Sequence, residues 1–376
     1  MKFNVSGKSL YSAASAVSKV INAKNALTIL NNFYIDLHDG VLSITGSDVE
    51  NALTARIAVS ETEGEGTFCL DARRLVDLLK ELPDQGIEVN FNEETLEVVL
   101  TYSNGRYSMV GVPADQYPQY QKEADDEDPV VFVCPVEQII KGIETTIFAV
   151  GTEDFHPQMM GILLDIMPDG ITFVATDTRK LVKYVNRLSA PGVTKRCILP
   201  VKPATILKTA FAKEETITVT ITSKSATVQT DNYTFNFRFI KGNFPDYNRV
   251  IPQNNPYTLR VDRLRFLNAV RRVGVFVDPG FGLEKFRITA DKIYLKSSDA
   301  NMCTSGSETL ECEYTGADIV IGFSAPYLME ICNTIPSEDI VVALSDPSRP
   351  GVFRPAEQAE NTDLLVLLMP MNVTEF

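Results

Sequence analysis

The chain has no tryptophan, only two histidines (His38 and His156), and six cysteines that form no CxxC pair. That ligand supply excludes a recognisable zinc finger or ribbon. With so little imidazole, acid–base chemistry near neutral pH would fall to carboxylates, and no spacing singles out a pair of them. There is no glycine-rich phosphate loop and no nucleophile placed beside a base. The acidic run Asp125 to Asp128 lacks the alternating ligands and turn glycine of a calcium loop. No segment approaches eighteen uninterrupted apolar residues, and the opening Met1-Lys2-Phe3-Asn4-Val5-Ser6 has no signal-like apolar run. The reading is of a cytoplasmic, non-catalytic protein that needs neither metal nor cofactor. Its cysteines (Cys69, Cys134, Cys197, Cys303, Cys312 and Cys332) are expected to be small buried hydrophobes in a reducing compartment.

What is present is a long, ordinary globular composition: 376 residues, 44% hydrophobic and 22% charged. That is too much chain for one hydrophobic core. A faint repeat of about 125 residues runs through it, too long for a solenoid unit, so each copy is a whole domain. Leu75, Leu78, Leu79 and Leu82 of one helical pattern, closed by Pro83, return as Leu328, Ile331, Cys332 and Ile335, closed by Pro336. The middle copy keeps Leu207 and Phe211. Strand-like runs follow at Ile87 to Phe91, Ile217 to Ile221 and Ile340 to Leu344. A strand ending in Ser/Thr-Asp also recurs, at Ser47-Asp48, Thr176-Asp177 and Ser298-Asp299. Tyr117-Pro118-Gln119-Tyr120 is matched by Phe244-Pro245-Asp246-Tyr247.

A second helical pattern opens each copy: Leu10, Ala13, Ala14, Val17, Val20 and Ile21; then Ile139, Ile140, Ile143 and Ile147; then Phe266, Leu267, Val270 and Val273. The unit is helix, strands, helix, strands: an α+β domain with two helices packed on antiparallel sheets. The acidic stretch Gln121 to Pro129 and the Pro/Asn-rich Val250 to Tyr257 read as connectors. They set domains at 1–122, 129–250 and 256–376.

The net charge is −14 and the pI near 4.8, the opposite of the usual nucleic-acid footprint. The charge is segregated, however. The predicted helices 8–24, 70–82, 137–150, 199–213, 262–277 and 323–335 together carry +7, leaving −21 on the rest. If the helices share one surface, that surface is mildly basic and the opposite one strongly acidic, which suits weak, salt-sensitive contact with phosphate inside a hole. A plain preference of Lys and Arg for helix surfaces would produce part of the same pattern. No base-reading motif is visible. From the residues alone, a DNA-encircling ring and a repeat scaffold that binds only proteins both remain open.

The residues also carry a family resemblance over the whole chain. Lys24-Asn25-Ala26-Leu27-Thr28-Ile29-Leu30, Gly46-Ser47-Asp48, Ala175-Thr176-Asp177, Gly242 to Pro252, Ile321-Gly322-Phe323 and Met369-Pro370-Met371 stand in an order and spacing that resemble the bacterial DNA polymerase III β sliding clamps. The resemblance implies three clamp domains per chain and a head-to-tail homodimeric ring around double-stranded DNA, bound without sequence preference. It implies a DNA polymerase processivity factor with a pocket between domains two and three, where the replicative polymerase, the clamp loader and repair proteins insert short linear motifs. The matching pocket positions are Met159, Thr176, Thr178, Arg179, Lys180, Leu181, Pro245, Arg249, Val250, Ser345, Leu367, Met369 and Met371. Their Leu, Val and Met make an adaptable apolar slot, with Arg249 and Thr176 available to polar peptide groups. Lys24, Arg73 and Lys202 are implied to face DNA. Tyr107 and Met109 are implied to meet Val275 and Phe276 of a second subunit. The chain departs from the family's frequent Gly-His-Arg-Leu at Thr178 to Leu181, in the loop Phe155 to Met159, and by its extension Asn372 to Phe376.

Overall fold

In the computed structural model the described residues are 1–120, 128–153, 155–278, 280, 282–299, 301–373 and 375–376. Each of six helices is entered directly from a strand. Strand Lys2–Ser6 runs into α1 (Gly7–Ser18), Gly66–Asp71 into α2 (Ala72–Glu81), and Val130–Pro135 into α3 (Val136–Thr146). Likewise Lys195–Pro200 runs into α4 (Val201–Ala210), Tyr257–Asp262 into α5 (Arg263–Val273), and Ile319–Ser324 into α6 (Ala325–Thr334). In three cases the last strand residue is also the helix cap: Ser6 Oγ accepts from the Ser9 N–H at 3.3 Å, and Asp71 and Asp262 accept from Arg74 and Arg265 at 2.7 Å. Such caps satisfy amides that the first helical turn leaves unpaired.

One backbone hydrogen bond repeats in all three copies. The first residue of the opening helix donates to the residue that leads into, or directly precedes, the strand after the second helix: Gly7 to Gln85, Val136 to Glu215, and Arg263 to Glu338, at 2.8 to 3.0 Å. The apolar stripes fall where the sequence places them, with Leu10, Val17, Leu75, Leu79, Ile143, Phe266, Val270, Leu328 and Ile331 all buried. Two close approaches fix helix against sheet. A Cβ on Gly46 would sit 2.8 Å from Val17, and one on Gly142 of α3 would sit 2.4 Å from the Phe173 ring.

The helices are shorter than their apolar periodicity. Lys19, Lys24 and Lys213, counted with helices from sequence, lie beyond α1 and α4. The basic excess survives: the six helices hold eleven basic residues against five acidic, a net +6. The cysteine expectation holds for Cys69, Cys134, Cys197 and Cys332, which are buried. Cys303 is exposed and Cys312 half-buried, because the turn and strand end that carry them face solvent. Of the Gln121 to Pro129 connector, residues 121–127, including most of the acidic run, lie outside the described residues.

Two compact units divide the chain, residues 1–140 with 202–240 and residues 141–201 with 241–376. The first holds a five-stranded sheet and an eight-stranded sheet. In the latter, strand Tyr233–Arg238 pairs with Asn51–Ala58, setting Phe235 opposite Leu53. The second holds a four-stranded sheet and a nine-stranded sheet in which Lys180–Asn186 pairs with Thr362–Leu368. Strands of the middle copy thus enter sheets with strands of both neighbours. Backbone pairing runs on where the repeat ends, so compactness and repeat do not share boundaries. On strand Leu283–Ile288 of the second unit, Glu284 is fully buried with neither carboxyl oxygen hydrogen-bonded. Burial, with the Glu308 carboxylate nearby, pushes its pKa up to about 8, so it is largely the neutral acid at pH 7.

Candidate functional site

The site begins at a tight turn whose chemistry explains the Ser/Thr-Asp motif. Strand Gly170–Thr176 reverses into Lys180–Asn186 through Asp177, Thr178 and Arg179. Asp177 Oδ1 accepts from the Arg179 and Lys180 N–H groups at 2.9 and 2.8 Å. Thr176 Oγ1 accepts from the Thr178 N–H at 3.2 Å and donates to the Lys180 carbonyl at 2.8 Å. Thr178 is held at φ +76°, a costly conformation for a β-branched residue. The same turn stands at Ser47-Asp48: Val49 has φ +80°, and Asp48 Oδ1 accepts from Glu50 and Asn51 at 3.1 and 2.7 Å. In the third copy Asp299 accepts from Asn301 and Met302. The carboxylate is required because it ties down two amides at once.

This turn leaves Thr178 and Arg179 exposed and draws Lys180 inward. Lys180 is 5% exposed; its ammonium lies 3.2 Å from Asp177, 2.9 Å from Glu330 of α6, and 3.9 Å from the centre of the Tyr327 ring. It is therefore a strut between turn and helix, not a group open to a ligand. The Thr176 hydroxyl likewise donates and accepts inside the turn, so its proton is committed there. Arg179 is an exposed cation here, with no ion pair among the described residues.

Around the turn lies a cleft of about 140 Å³, lined by Gly151, Thr152, Glu153, His156, Met159, Asp177, Thr178, Arg179 and Tyr327. Next to it, Leu181 stands opposite Leu367 in the nine-stranded sheet, and the Met369 N–H donates to the Arg179 carbonyl at 2.8 Å, extending the pairing beyond the strand. Met369 remains 41% exposed. Ser345 follows strand Asp339–Leu344 at the same end of the sheet, since Ala343 pairs with Val352 and Val352 with Leu367. The Met371 N–H donates to the Gly322 carbonyl at 2.8 Å and ties the tail to the four-stranded sheet.

Pro245, Arg249 and Val250 sit on a separate segment anchored by the buried Tyr247. Its hydroxyl lies 3.2 Å from Asp165 Oδ2, and its ring faces Lys183 at 5.7 Å and Arg196 at 5.9 Å. Burial first, and Asp165 second, raise the Tyr247 phenol above its ordinary range. Arg249 pairs with Asp246 at 2.9 Å, and Val250 is exposed. Tyr327, Glu330 and Tyr247 are not among the site residues expected from sequence. No linear pattern brings the first two near Lys180, whereas the Phe-Pro-Asp-Tyr repeat marks the third.

Among the residues expected at DNA, Lys24 is exposed in the loop after α1, and Arg73 is exposed on α2, 3.7 Å from Asp77. Lys202 is held differently: its ammonium contacts the Val20 carbonyl and Asp48 at 2.5 Å and Asn22 at 2.6 Å. Among the expected subunit-contact residues, Tyr107 and Met109 lie on Gly105–Val110, an edge strand of the five-stranded sheet. Val275 is 77% exposed, and Phe276 packs over Gly306 on Thr304–Glu311, an edge strand of the four-stranded sheet.

Three family models match the chain in order: the N-terminal domain of the DNA polymerase III beta subunit at residues 1–121, its central domain at 134–246 and its C-terminal domain at 248–372. The chain belongs to the DNA polymerase III beta subunit family. Members of this family are DNA polymerase sliding clamps, non-catalytic processivity factors, and the fold is three tandem α+β clamp domains. The beta sliding clamp of Pseudomonas putida is 24% identical over 99% of this chain and 100% of its own length; that of Escherichia coli K12 is 25% identical with the same coverage. The Thermotoga maritima beta subunit structure superposes with a TM-score of 0.91 at 22% identity, over 99% of this chain and all of that one. The sliding clamp of Bartonella birtlesii, solved bound to griselimycin, gives 0.92 at 24% identity with the same coverage. Among the described residues no helix is long and apolar enough to cross a membrane.

Proposed function

We propose that two copies of this chain close head to tail into a cytoplasmic ring that encircles duplex DNA. The ring tethers the replicative polymerase, the clamp loader and repair proteins through the Leu181–Leu367 slot, without catalysis, metal or cofactor. The domains of this reading are 1–122, 129–250 and 256–376. The observation that carries it is a pair of unfilled sheet edges in a chain that belongs throughout to the clamp family. Strand Gly105–Val110 offers Tyr107 and Met109 on one edge, and Thr304–Glu311 lies under Phe276 beside Val275 on the other. An edge strand with apolar neighbours is a template for pairing with another chain. Two different edges on one chain make a heterologous contact, which closes into a ring when the rotation allows. The slot would hold a peptide between Leu181, Leu367, Met369 and Met159, with Pro245, Arg249, Val250, Ser345 and Met371 around it.

The net +6 of the helices, which hold Arg73 and Lys202, against −14 overall supports a basic lining, to which Lys24 in the loop after α1 is added by resemblance. Lys202, on α4, would contribute by holding the segment after α1 as well as by its charge. Reversing the exposed pair, Lys24→Glu with Arg73→Glu, and adding Lys202→Ala is expected to shorten retention on nicked circular DNA. It should also flatten the dependence of retention on log salt by about two to three, near one unit for each phosphate that is no longer neutralised. Unchanged retention and slope, in a variant that still assembles, would remove these residues from the lining.

A further inference from the structure

On the same face of the nine-stranded sheet as the slot lies a second cleft of about 380 Å³, between the sheet and the connector 248–255. Leu181 pairs with Leu367 and, two residues on, Lys183 pairs with Leu365. Residues two apart on a strand share a face and stand about 7 Å apart, so Lys183 and Leu365 carry on the face that holds Leu181 and Leu367. Its chemistry differs. Arg354 is neutralised by Asp363 at 2.8 Å, whereas the Lys183 ammonium meets no carboxylate among the described residues and faces only the Tyr247 ring. Asn255 fastens the connector by donating to the Ala343 and Pro350 carbonyls at 3.0 Å, while its own side-chain oxygen is buried without a partner. Lys183 is thus a half-buried cation with no ion pair among the described residues.

We propose that Lys183 receives an acidic side chain of the partner peptide, so that this cleft selects motifs flanked by Asp or Glu. The inference rests on the slot reading above. An extended peptide whose apolar residues occupy the slot passes over the cleft one or two residues later, at the reach of a glutamate. The counter-charge is then supplied only by a partner, which makes Lys183 a determinant of specificity and not of folding.

The test is fluorescence anisotropy with three labelled decapeptides sharing a Leu-Phe core: one flanked by Glu-Glu before it, one by Glu-Glu after it, and one by Ser-Ser on both sides. The full-length protein should prefer one of the acidic peptides over the serine peptide by about fivefold at low salt. Lys183→Ala should erase that preference, Lys183→Arg should retain it, and the serine peptide should bind all three proteins within about twofold. Unchanged serine-peptide binding also shows that the Tyr247 segment has not moved. A preference that survives Lys183→Ala, or no preference for either acidic peptide in the unmodified protein, overturns the proposal. If the unmodified protein binds none of the three, the slot reading fails first and takes this one with it.

Discussion

Removing Met369 to Phe376 is expected to lower affinity for a Leu-Phe peptide by about 100-fold while leaving a folded protein. Burying one methionine side chain is worth about 2 kcal/mol, and Met369 and Met371 together border the proposed slot. The fold should survive because Leu368 keeps its place opposite Lys180. Among the described residues the tail contributes backbone hydrogen bonds to Arg179 and Gly322, a contact from Lys285 to the Glu375 carbonyl, and Val373 lying close over Gly322. Met369→Glu provides the same test without truncation, since that side chain is 41% exposed. Titration of peptide anisotropy, with circular dichroism as the folding control, decides it. A folded truncation that binds as before would place the peptide elsewhere.

Phe276→Asp is expected to yield monomers. The substitution sets an uncompensated carboxylate in the proposed contact of Tyr107 and Met109 with Val275 and Phe276, and a buried unpaired charge costs several kcal/mol. Phe276 also packs over Gly306 within its own chain, so local damage must be separated from a broken subunit interface. Val275→Asp separates them, because Val275 is 77% exposed and carries little internal packing. Sedimentation at micromolar concentration should show both variants as monomers and the unmodified chain as a dimer. A dimer persisting in both would put the interface on other surfaces.

The parts of the fold legible in sequence are those written in local periodicity. Leu75, Leu79, Leu328 and Ile331 announce their helices because burial of one face needs that spacing. The Ser/Thr-Asp repeat is visible as a pattern, but not as a turn, because the two amides it binds come from residues of no particular type. Periodicity overruns the helix ends: Val20, fully buried beyond α1, continues the apolar spacing after the helix has stopped. The joining of strands from adjacent copies into one sheet leaves no trace in the side chains, since backbone groups make those bonds.

The site divides in the same way. Leu181, Leu367, Met369, Arg179 and Met159 are placed by resemblance and lie together at one turn and sheet end. The inward position of Lys180 is not legible, because Glu330 and Tyr327 are far away along the chain. A lysine beside an exposed arginine looks solvated until its partners are known. Lys202 looks like a free cation for the same reason: its partners Val20, Asn22 and Asp48 belong to another copy of the repeat.

Topological retention on DNA tests encirclement directly. The protein is loaded onto nicked circular DNA with its cognate clamp loader and ATP, and the mixture is passed through gel filtration before and after the circle is cut. Encirclement predicts co-elution with the circle and release on linearisation. Retention that survives cutting, or no retention with a loader shown to be active, would contradict it.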